Sequence, residues 1–379
     1  MKAKTREGSQ VKFSSDREPF LIAAQATLRA VASKSTVPAL TGILVTAQGT
    51  AVTLNGTDLE LGIECRFEAE IKEEGQVLLP ARYLVDILRR LPEGELTLAE
   101  AKGNEYVLVT AGQARFQLLT LPLADFPEVK PQAATELVRL PELTLRSLIQ
   151  KVSFAAARDG LRQLLTSILI SFKAGKLRFV ATDGHRLALA EDEMDVGGAK
   201  GDYLVPARNL EEVARLITGQ SEVIIKTATN QLVFTSEGGT LVSRLVEGKY
   251  LPYESVIPRE FSHRVLVERI EFLEALERAE LFSADKVSAV RLGVGEDGIS
   301  IWAQSAAIGR MDELVAAEVE GEEIEISFNS RYIIEPLRII SAERVLLEFT
   351  GPASAAVISP EGQSGYRYLV MPVSTRTAM

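Results

Sequence analysis

Leu79-Pro80-Ala81-Arg82, Val205-Pro206-Ala207-Arg208 and Phe328-Asn329-Ser330-Arg331 are three versions of one phrase, about 125 residues apart. Each opens an apolar, helix-like run: Tyr83-Leu84-Val85-Asp86-Ile87-Leu88, Asn209-Leu210-Glu211-Glu212-Val213-Ala214 and Tyr332-Ile333-Ile334-Glu335-Pro336-Leu337. Short strands and a proline follow in each copy: Pro122, Pro258 and Pro372. The opening arginine is answered seven residues later by another, giving Arg82 with Arg89, Arg208 with Arg215 and Arg331 with Arg338. Seven residues is close to two helical turns, so each pair shares a helix face. A basic helix face presented three times is expected to be arranged around one common partner.

The chain has 379 residues, too many for one core and suited to three domains of ordinary size. The repeat is far longer than solenoid or propeller periods, so each copy is expected to be a self-sufficient domain. Apolar periodicity lapses near Pro131-Gln132-Ala133-Ala134 and Pro258-Arg259-Glu260, which sets the expected domains at 1–134, 135–259 and 260–379, with residues 1–10 frayed. A net charge of −10 and a pI near 5.1 argue against a protein that coats nucleic acid with its whole surface, while allowing a local basic one. Cys65 is the single cysteine and no N-terminal apolar segment is present, which points to a reducing, cytoplasmic setting. No run reaches the length of a membrane span.

The first half of each repeat has its own order. Helix-like segments run over Phe20 to Ala32, Leu143 to Ala156 and Ile270 to Leu281. Strands such as Gly42-Ile43-Leu44-Val45, Ser167-Ile168-Leu169-Ile170 and Val290-Arg291-Leu292-Gly293-Val294 come next. A second strand ends near Gly56-Thr57-Asp58-Leu59, Ala181-Thr182-Asp183-Gly184 and Ala303-Gln304-Ser305-Ala306. Helix, strands, helix, strands is an α+β domain, with its helices on one side and strands joined into sheets on the other.

Few signals suggest catalysis. Gly293-Val294-Gly295-Glu296-Asp297-Gly298 matches a dinucleotide fingerprint as a string, but the alternating Ile299-Ser300-Ile301-Trp302 follows where a helix is required. Glu296-Asp297-Gly298 therefore reads as a hairpin turn. Asn55-Gly56-Thr57 fits a glycosylation acceptor and, without a secretory signal, reads as a turn. Asp183-Gly184-His185 resembles half of an acid–base pair, yet no activated Ser or Cys lies near it in sequence. Read by itself, His185 is expected to be a buried, hydrogen-bonded turn residue, and Cys65 a core residue without metal partners. The acidic residues are read as solvated singly on polar faces. No catalytic residue, metal site or cofactor is expected. Lys34, Arg146, Lys151 and Arg158, on or just after the first-half helices, extend the surface that the arginine pairs present to phosphates.

Ala181-Thr182-Asp183-Gly184-His185-Arg186-Leu187-Ala188 and Tyr368-Leu369-Val370-Met371-Pro372-Val373 resemble the bacterial sliding clamps, the beta subunits of DNA polymerase III. Thr36-Val37-Pro38-Ala39-Leu40, Gly56-Thr57-Asp58-Leu59-Glu60, Val77-Leu78-Leu79-Pro80-Ala81-Arg82 and Thr120-Leu121-Pro122-Leu123-Ala124-Asp125-Phe126-Pro127 extend the resemblance, which covers Val11 to Val373. It implies three similar domains of the DNA clamp fold in a head-to-tail homodimeric ring, helices lining the hole and sheets outside. Such a ring holds double-stranded DNA by topology, without sequence preference. It tethers the replicative polymerase catalytic subunit, the clamp loader and other clamp-motif proteins, with no catalysis and no membrane contact.

In such clamps, partners insert a glutamine-led peptide with Leu and Phe anchors into a cleft between the second and third domains. The matching positions are Leu165, Thr182, Gly184, His185, Arg186, Leu187, Val256, Leu369, Val370, Met371, Pro372 and Val373. The resemblance places DNA contacts at Lys34 and Arg82, with weaker correspondence around Arg158. It places Phe116 and Leu118 on an edge strand against Leu281 and Phe282 of the second subunit. Two departures stand beside the cleft: Leu251 in Tyr250-Leu251-Pro252-Tyr253 replaces a rim proline, and Ser374-Thr375-Arg376-Thr377-Ala378-Met379 runs past the usual end. Two other readings remain open at this point, a peptide-binding scaffold that never encircles DNA and a nucleotide-dependent enzyme resting on the glycine string.

Overall fold

The computed structural model describes residues 10–101, 103, 105–129, 133–159, 162–173, 175–194, 198–282, 289–305 and 307–373. Most of the expected frayed start, Pro131 and Gln132 of the first junction, Ala306 and the tail Ser374–Met379 lie outside these residues.

The first repeat builds β1 (Lys12–Asp16), α1 (Arg17–Leu28), β2 (Gly42–Gln48), β3 (Ala51–Thr57), β4 (Leu61–Glu68), β5 (Glu70–Glu73) and β6 (Gly75–Pro80). It continues with α2 (Ala81–Arg90), β7 (Glu95–Glu100), β8 (Tyr106–Ala111) and β9 (Ala114–Leu119). The second builds β10 (Thr135–Pro141), α3 (Glu142–Ser153), β11 (Ser167–Lys173), β12 (Lys176–Thr182), β13 (Arg186–Glu193) and β14 (Gly201–Pro206). After these come α4 (Ala207–Leu216), β15 (Glu222–Ala228), β16 (Gln231–Ser236) and β17 (Gly239–Arg244). The third builds β18 (His263–Glu268), α5 (Arg269–Glu280), β19 (Ala289–Gly295), β20 (Gly298–Ser305), β21 (Gly309–Val315), β22 (Ala317–Glu320) and β23 (Ile324–Asn329). It ends with α6 (Ser330–Ile339), β24 (Arg344–Phe349), β25 (Ala356–Pro360) and β26 (Tyr366–Val370).

Three sequence expectations need correction. Each repeat opens with a strand before its first helix (β1, β10 and β18), which pairs with the first strand after the second helix. The first-half helices begin as soon as that strand ends and stop earlier than expected. After Leu28 the bonds Arg29 N–H to Ala26 and Ala30 N–H to Thr27 close three residues back instead of four, as do Ala155 to Val152 and Ala156 to Ser153. Asn55-Gly56-Thr57 lies inside β3 and is no turn. Gly56 is needed there because a Cβ would stand 2.8 Å from the Thr27 carbonyl oxygen and 2.9 Å from a Val31 methyl. Glu296 and Asp297 do form the β19–β20 hairpin turn, with Gly295 paired to Gly298.

Two compact units emerge, and the second repeat contributes to both. One holds residues up to Leu145 with Glu212–Leu245, the other Arg146–Glu211 with Val246 onward. In the first unit a sheet runs β5-β1-β7-β8-β9 and another runs β10-β15-β16-β17-β4-β3-β2-β6. Phe13 packs edge-on against Phe20 and Phe67, which stack on each other, at centroid distances of 5.0 to 6.3 Å in its core. In the second unit one sheet runs β14-β11-β12-β13-β26-β25-β24-β18-β22 and another β21-β20-β19-β23. The sheets therefore cross from repeat to repeat at two seams, β4 to β17 and β13 to β26. Among the described residues β9 and β21 end their sheets unpaired on one side.

Helix α2 shows why the second helices present a basic face. Ala81, Leu84, Val85 and Leu88 are buried at helical spacing, leaving Arg82, Asp86 and Arg89 outside. In α4 and α6, Leu210 with Val213 and Ile333 with Leu337 turn inward, leaving Arg208, Arg215, Arg331 and Arg338 exposed.

Candidate partner cleft and nucleic-acid interface

The turn between β12 and β13 is fixed by its own side chains. The Thr182 hydroxyl donates to the Arg186 carbonyl at 2.5 Å and accepts the Gly184 N–H at 3.0 Å. The Asp183 carboxylate accepts the N–H groups of His185 (2.9 Å) and Arg186 (3.1 Å). Gly184 sits at φ +94°, where side chains are disfavoured. His185 is exposed, contrary to the buried residue expected from sequence alone, because the bonds that hold the turn use its backbone. Its carbonyl accepts the Met371 N–H at 2.9 Å, and the Val373 N–H reaches Ser327 at 2.8 Å. The segment leaving β26 is thereby pinned beside the turn.

The buried charged member of the turn is Arg186, 8% exposed. Its Nε donates to Asp183 at 3.0 Å, one terminal nitrogen to Glu335 of α6, and the other to the Phe154 carbonyl at 2.7 Å. The guanidinium lies 4.3 Å from the Tyr332 ring centroid and 5.5 Å from that of Phe154. Burial opposes its charge, but Tyr368, Glu335 and Asp183 more than restore it, so it stays firmly cationic. Arg186 is a structural pin between the cleft turn and α6.

Beside that pin the surface turns apolar. Leu187 and Leu369 belong to one buried cluster with Leu169, Val180, Tyr250 and Tyr253. Leu165, Thr182 and Val370 are buried as well, whereas Pro372 and Val373 are half-buried. Leu251, Val256 and Met371 are 46%, 54% and 41% exposed, although large apolar side chains gain by burial. Tyr250 and Tyr253, absent from the sequence-derived site, form part of the floor. Burial pushes both phenols up, Tyr250 the further. Gly248 admits this linker, since a Cβ there would meet a Leu164 methyl at 2.7 Å.

The basic faces are less uniform than their spacing suggests. Arg331 donates to Glu280 at 3.2 Å, and Arg338 grips Glu277 at 3.0 and 2.7 Å, both carboxylates on α5. Arg158 pairs with Glu211 at 3.1 Å, Arg215 with Glu212, and Arg89 loosely with Asp86 at 4.0 Å. Arg208 bonds Asn209 at 3.3 Å, while Arg146 and Lys151 are half-buried. Among the described residues Arg82 and Lys34 are exposed and have no carboxylate within ion-pair distance. These acids correct the expectation of singly solvated carboxylates. Glu142 departs furthest from it: fully buried, it accepts hydrogen bonds from the Thr218 hydroxyl and the backbone of Gly219 and Gln220.

Models of the DNA polymerase III beta subunit match residues 11–130 (N-terminal domain), 139–252 (central domain) and 254–374 (C-terminal domain). The chain belongs to the DNA polymerase III beta subunit family, the beta sliding clamps. The beta sliding clamp of Pseudomonas putida is 33% identical over 365 residues, covering 95% of this chain and 99% of that one. A solved sliding clamp from Pseudomonas aeruginosa superimposes with TM-score 0.89 at 32% identity, over 96% of this chain and 100% of the other. One from Bacillus subtilis gives 0.92 at 27%, over 97% and 100%. The chain thus has the three-domain clamp fold, and it is a non-catalytic processivity clamp.

In this clamp the expected edge-strand residues divide. Phe116 on β9 is 37% exposed and Leu118 is buried in its own unit, while the neighbouring Leu119 is 69% exposed. Leu281, just after α5, is 71% exposed and Phe282 half-buried. Cys65 is buried on β4, and burial pushes its thiol up to about 11, so the clamp carries it inert. Among the described residues no helix is long and apolar enough to cross a membrane.

Proposed function

We propose that the chain acts as a head-to-tail homodimer that encloses double-stranded DNA, with domains at 1–134, 135–259 and 260–379, in the cytoplasm. One observation carries this reading. The fourth strand of repeat one (β4) pairs with the last strand of repeat two (β17), and the matching strand of repeat two (β13) pairs with the last of repeat three (β26). The next member of the series is β21, and the last strand left over is β9. A second copy satisfies both edges, and closure follows from repeating the operation.

The register is transferable. Gln304 pairs with Arg310 as Thr57 pairs with Gly62 and Thr182 with Leu187. Val107 pairs with Leu118 as Leu232 pairs with Ser243 and Ala356 with Val370. Extending the seams sets Gly309 opposite Leu118 of the second copy, Met311 opposite Phe116, and Asp312 opposite Arg115. Leu281 and Phe282 supply apolar area at the same junction. The basic helix faces, led by Arg82, and Lys34 in the connection after α1 meet phosphates without reading bases. Partner proteins, among them the replicative polymerase and the clamp loader, place an extended glutamine-led peptide over Leu187, Val256, Leu369 and Met371. Met and Leu suit several partners.

Sedimentation tests the assembly. Arg115→Asp or Asp312→Arg alone is expected to shift the dimer toward folded monomer, and the two together to restore it. Leu281→Ala with Phe282→Ala is expected to give monomers, since central apolar side chains often contribute ~2 kcal/mol or more each. Dimers of unchanged affinity in every variant would place the interface elsewhere.

A further inference from the structure

The hydrogen-bonded frame of the cleft occurs twice. At the first seam the Thr57 hydroxyl donates to the Leu61 carbonyl at 2.8 Å and accepts the Leu59 N–H at 3.0 Å. The Asp58 carboxylate accepts the N–H groups of Glu60 (3.0 Å) and Leu61 (2.8 Å). The Arg244 N–H closes the frame on the Glu60 carbonyl at 2.9 Å, as Met371 does on His185. The two turns share these five bonds, and the strands that leave them match in register.

Their side chains differ. Where the second seam has Gly184, the first has Leu59 in the same left-handed backbone, φ +77°. A leucine is disfavoured in that conformation, and here its side chain is held 56% exposed to water. Strained residues of this kind gather where structure serves binding. Leu59 and Asn230 (φ +93°) are the two such non-glycine residues among those described, and both line one cavity of about 460 Å³. Ala133, Ala228, Thr229, Gln231 and Arg244 complete its wall. Arg244, in the place of Met371, is half exposed and pairs loosely with Glu60 at 3.9 Å, beyond hydrogen-bond distance. The cavity thus combines an apolar prong, a cation with spare donors and two side-chain amides.

We propose that this first-seam cavity is a second docking site, for a partner-protein segment in which a carboxylate stands next to an apolar residue. The carboxylate meets the Arg244 fork, the apolar side chain covers Leu59, and the segment's backbone bonds the amides of Asn230 and Gln231. Charge complementarity selects this occupant: the second seam offers Met371 and Val256 to an apolar anchor, whereas here a cation occupies the position of Met371. A phosphate alone would leave Leu59 in water. The inference rests on reading the second-seam frame as the partner cleft.

The test titrates the intact protein, by fluorescence anisotropy, with labelled octapeptides carrying Leu or Phe between two glutamates. Glutamine versions serve as controls, and a glutamine-led Leu/Phe peptide reports on the cleft. The acidic peptides are expected to bind at least fivefold more tightly than their controls. Arg244→Gln and Leu59→Gly should each remove that advantage, with Met371→Ala leaving it intact and weakening only the reporter. Leu59→Gly keeps the backbone conformation, so its melting temperature should equal or exceed that of the parent. Acidic peptides that bind no better than their controls, that respond only to Met371→Ala, or that are outcompeted by a plain dinucleotide would overturn the proposal. If the reporter ignores Met371→Ala while the acidic peptides still depend on Leu59 and Arg244, the cleft reading fails and the first-seam site stands.

Discussion

Leu187 lies directly opposite Leu369 where β13 meets β26, and Arg186 next to it lies opposite Val370. Consecutive residues of β13 therefore carry the apolar floor of the cleft and the cation that fastens the cleft turn to α6, on opposite faces of the sheet. The sheet is continuous there, so this surface is built by two repeats at once.

Arg186→Lys keeps the charge and removes the planar fork that bonds Asp183, Glu335 and the Phe154 carbonyl. Breaking a buried, fully bonded ion pair typically costs about 3–5 kcal/mol, and lysine should recover part of that. A loss of roughly 2 kcal/mol or more in urea unfolding is expected, together with weaker peptide binding. Unfolding within about 0.5 kcal/mol of the parent, the range of ordinary surface substitutions, would show that the pin is dispensable.

The unequal pairing of the arginines predicts unequal DNA contacts. Arg82 has no internal carboxylate partner among the described residues, whereas Arg338 is held by Glu277. Arg82→Glu should therefore lower DNA affinity more than Arg338→Glu. It should also flatten the salt dependence by a slope of ~0.9 per lost phosphate contact. Filter binding across a salt series measures both quantities. A larger loss at Arg338 would reverse the assignment.

At the cleft, deleting residues 371–379 removes one apolar wall and should leave the peptide's Phe anchor partly in water. Burying a Phe fully is worth roughly 1.5–3 kcal/mol, so affinity should fall about tenfold to a hundredfold. Leu251→Pro alters only the rim and should change it far less. Calorimetric titration of the folded proteins with one glutamine-led peptide compares them. Undiminished binding to the truncated protein would move the partner site elsewhere.

Glu142 sets part of the acid stability. Burial alone would raise its carboxyl, but hydrogen bonds from Gly219 and Thr218 outweigh that and hold it below its ordinary value of 4.5. A depressed carboxylate stabilises the fold fully above its unfolded value and loses that contribution as pH falls through the folded one. Glu142→Gln should destabilise at pH 7 by about 1–3 kcal/mol and unfold with a shallower pH dependence below 4.5. A variant whose stability falls as steeply as the parent's would assign the acid transition to other groups.

Repetition made much of this legible in the sequence. The arginine spacing locates three helix faces because helical period is a local property, and Ile299-Ser300-Ile301-Trp302 alternates visibly enough to expose the glycine string as a hairpin. The opening strands were lost because Lys12–Asp16 gains its strand character from pairing with β7, far along the chain. Asn55-Gly56-Thr57 resembles a turn by composition, yet the glycine answers a neighbouring helix. Arg186 was placed in the cleft by resemblance. Its burial depends on Glu335 and Tyr332, which no local pattern connects to it. Leu118 and Phe116 share a strand face, and only tertiary packing separates the buried residue from the exposed one.

Encirclement of DNA is tested most directly by loading the protein onto nicked circular DNA, separating the complex by gel filtration, and cutting the circle once. A ring closed through β9 and β21 is expected to stay on the intact circle at salt concentrations that abolish ordinary phosphate contacts, and to run off when the circle is cut. Equal retention on circular and cut DNA, with the ends free of bound protein, would contradict the ring and leave a scaffold that holds DNA by adhesion.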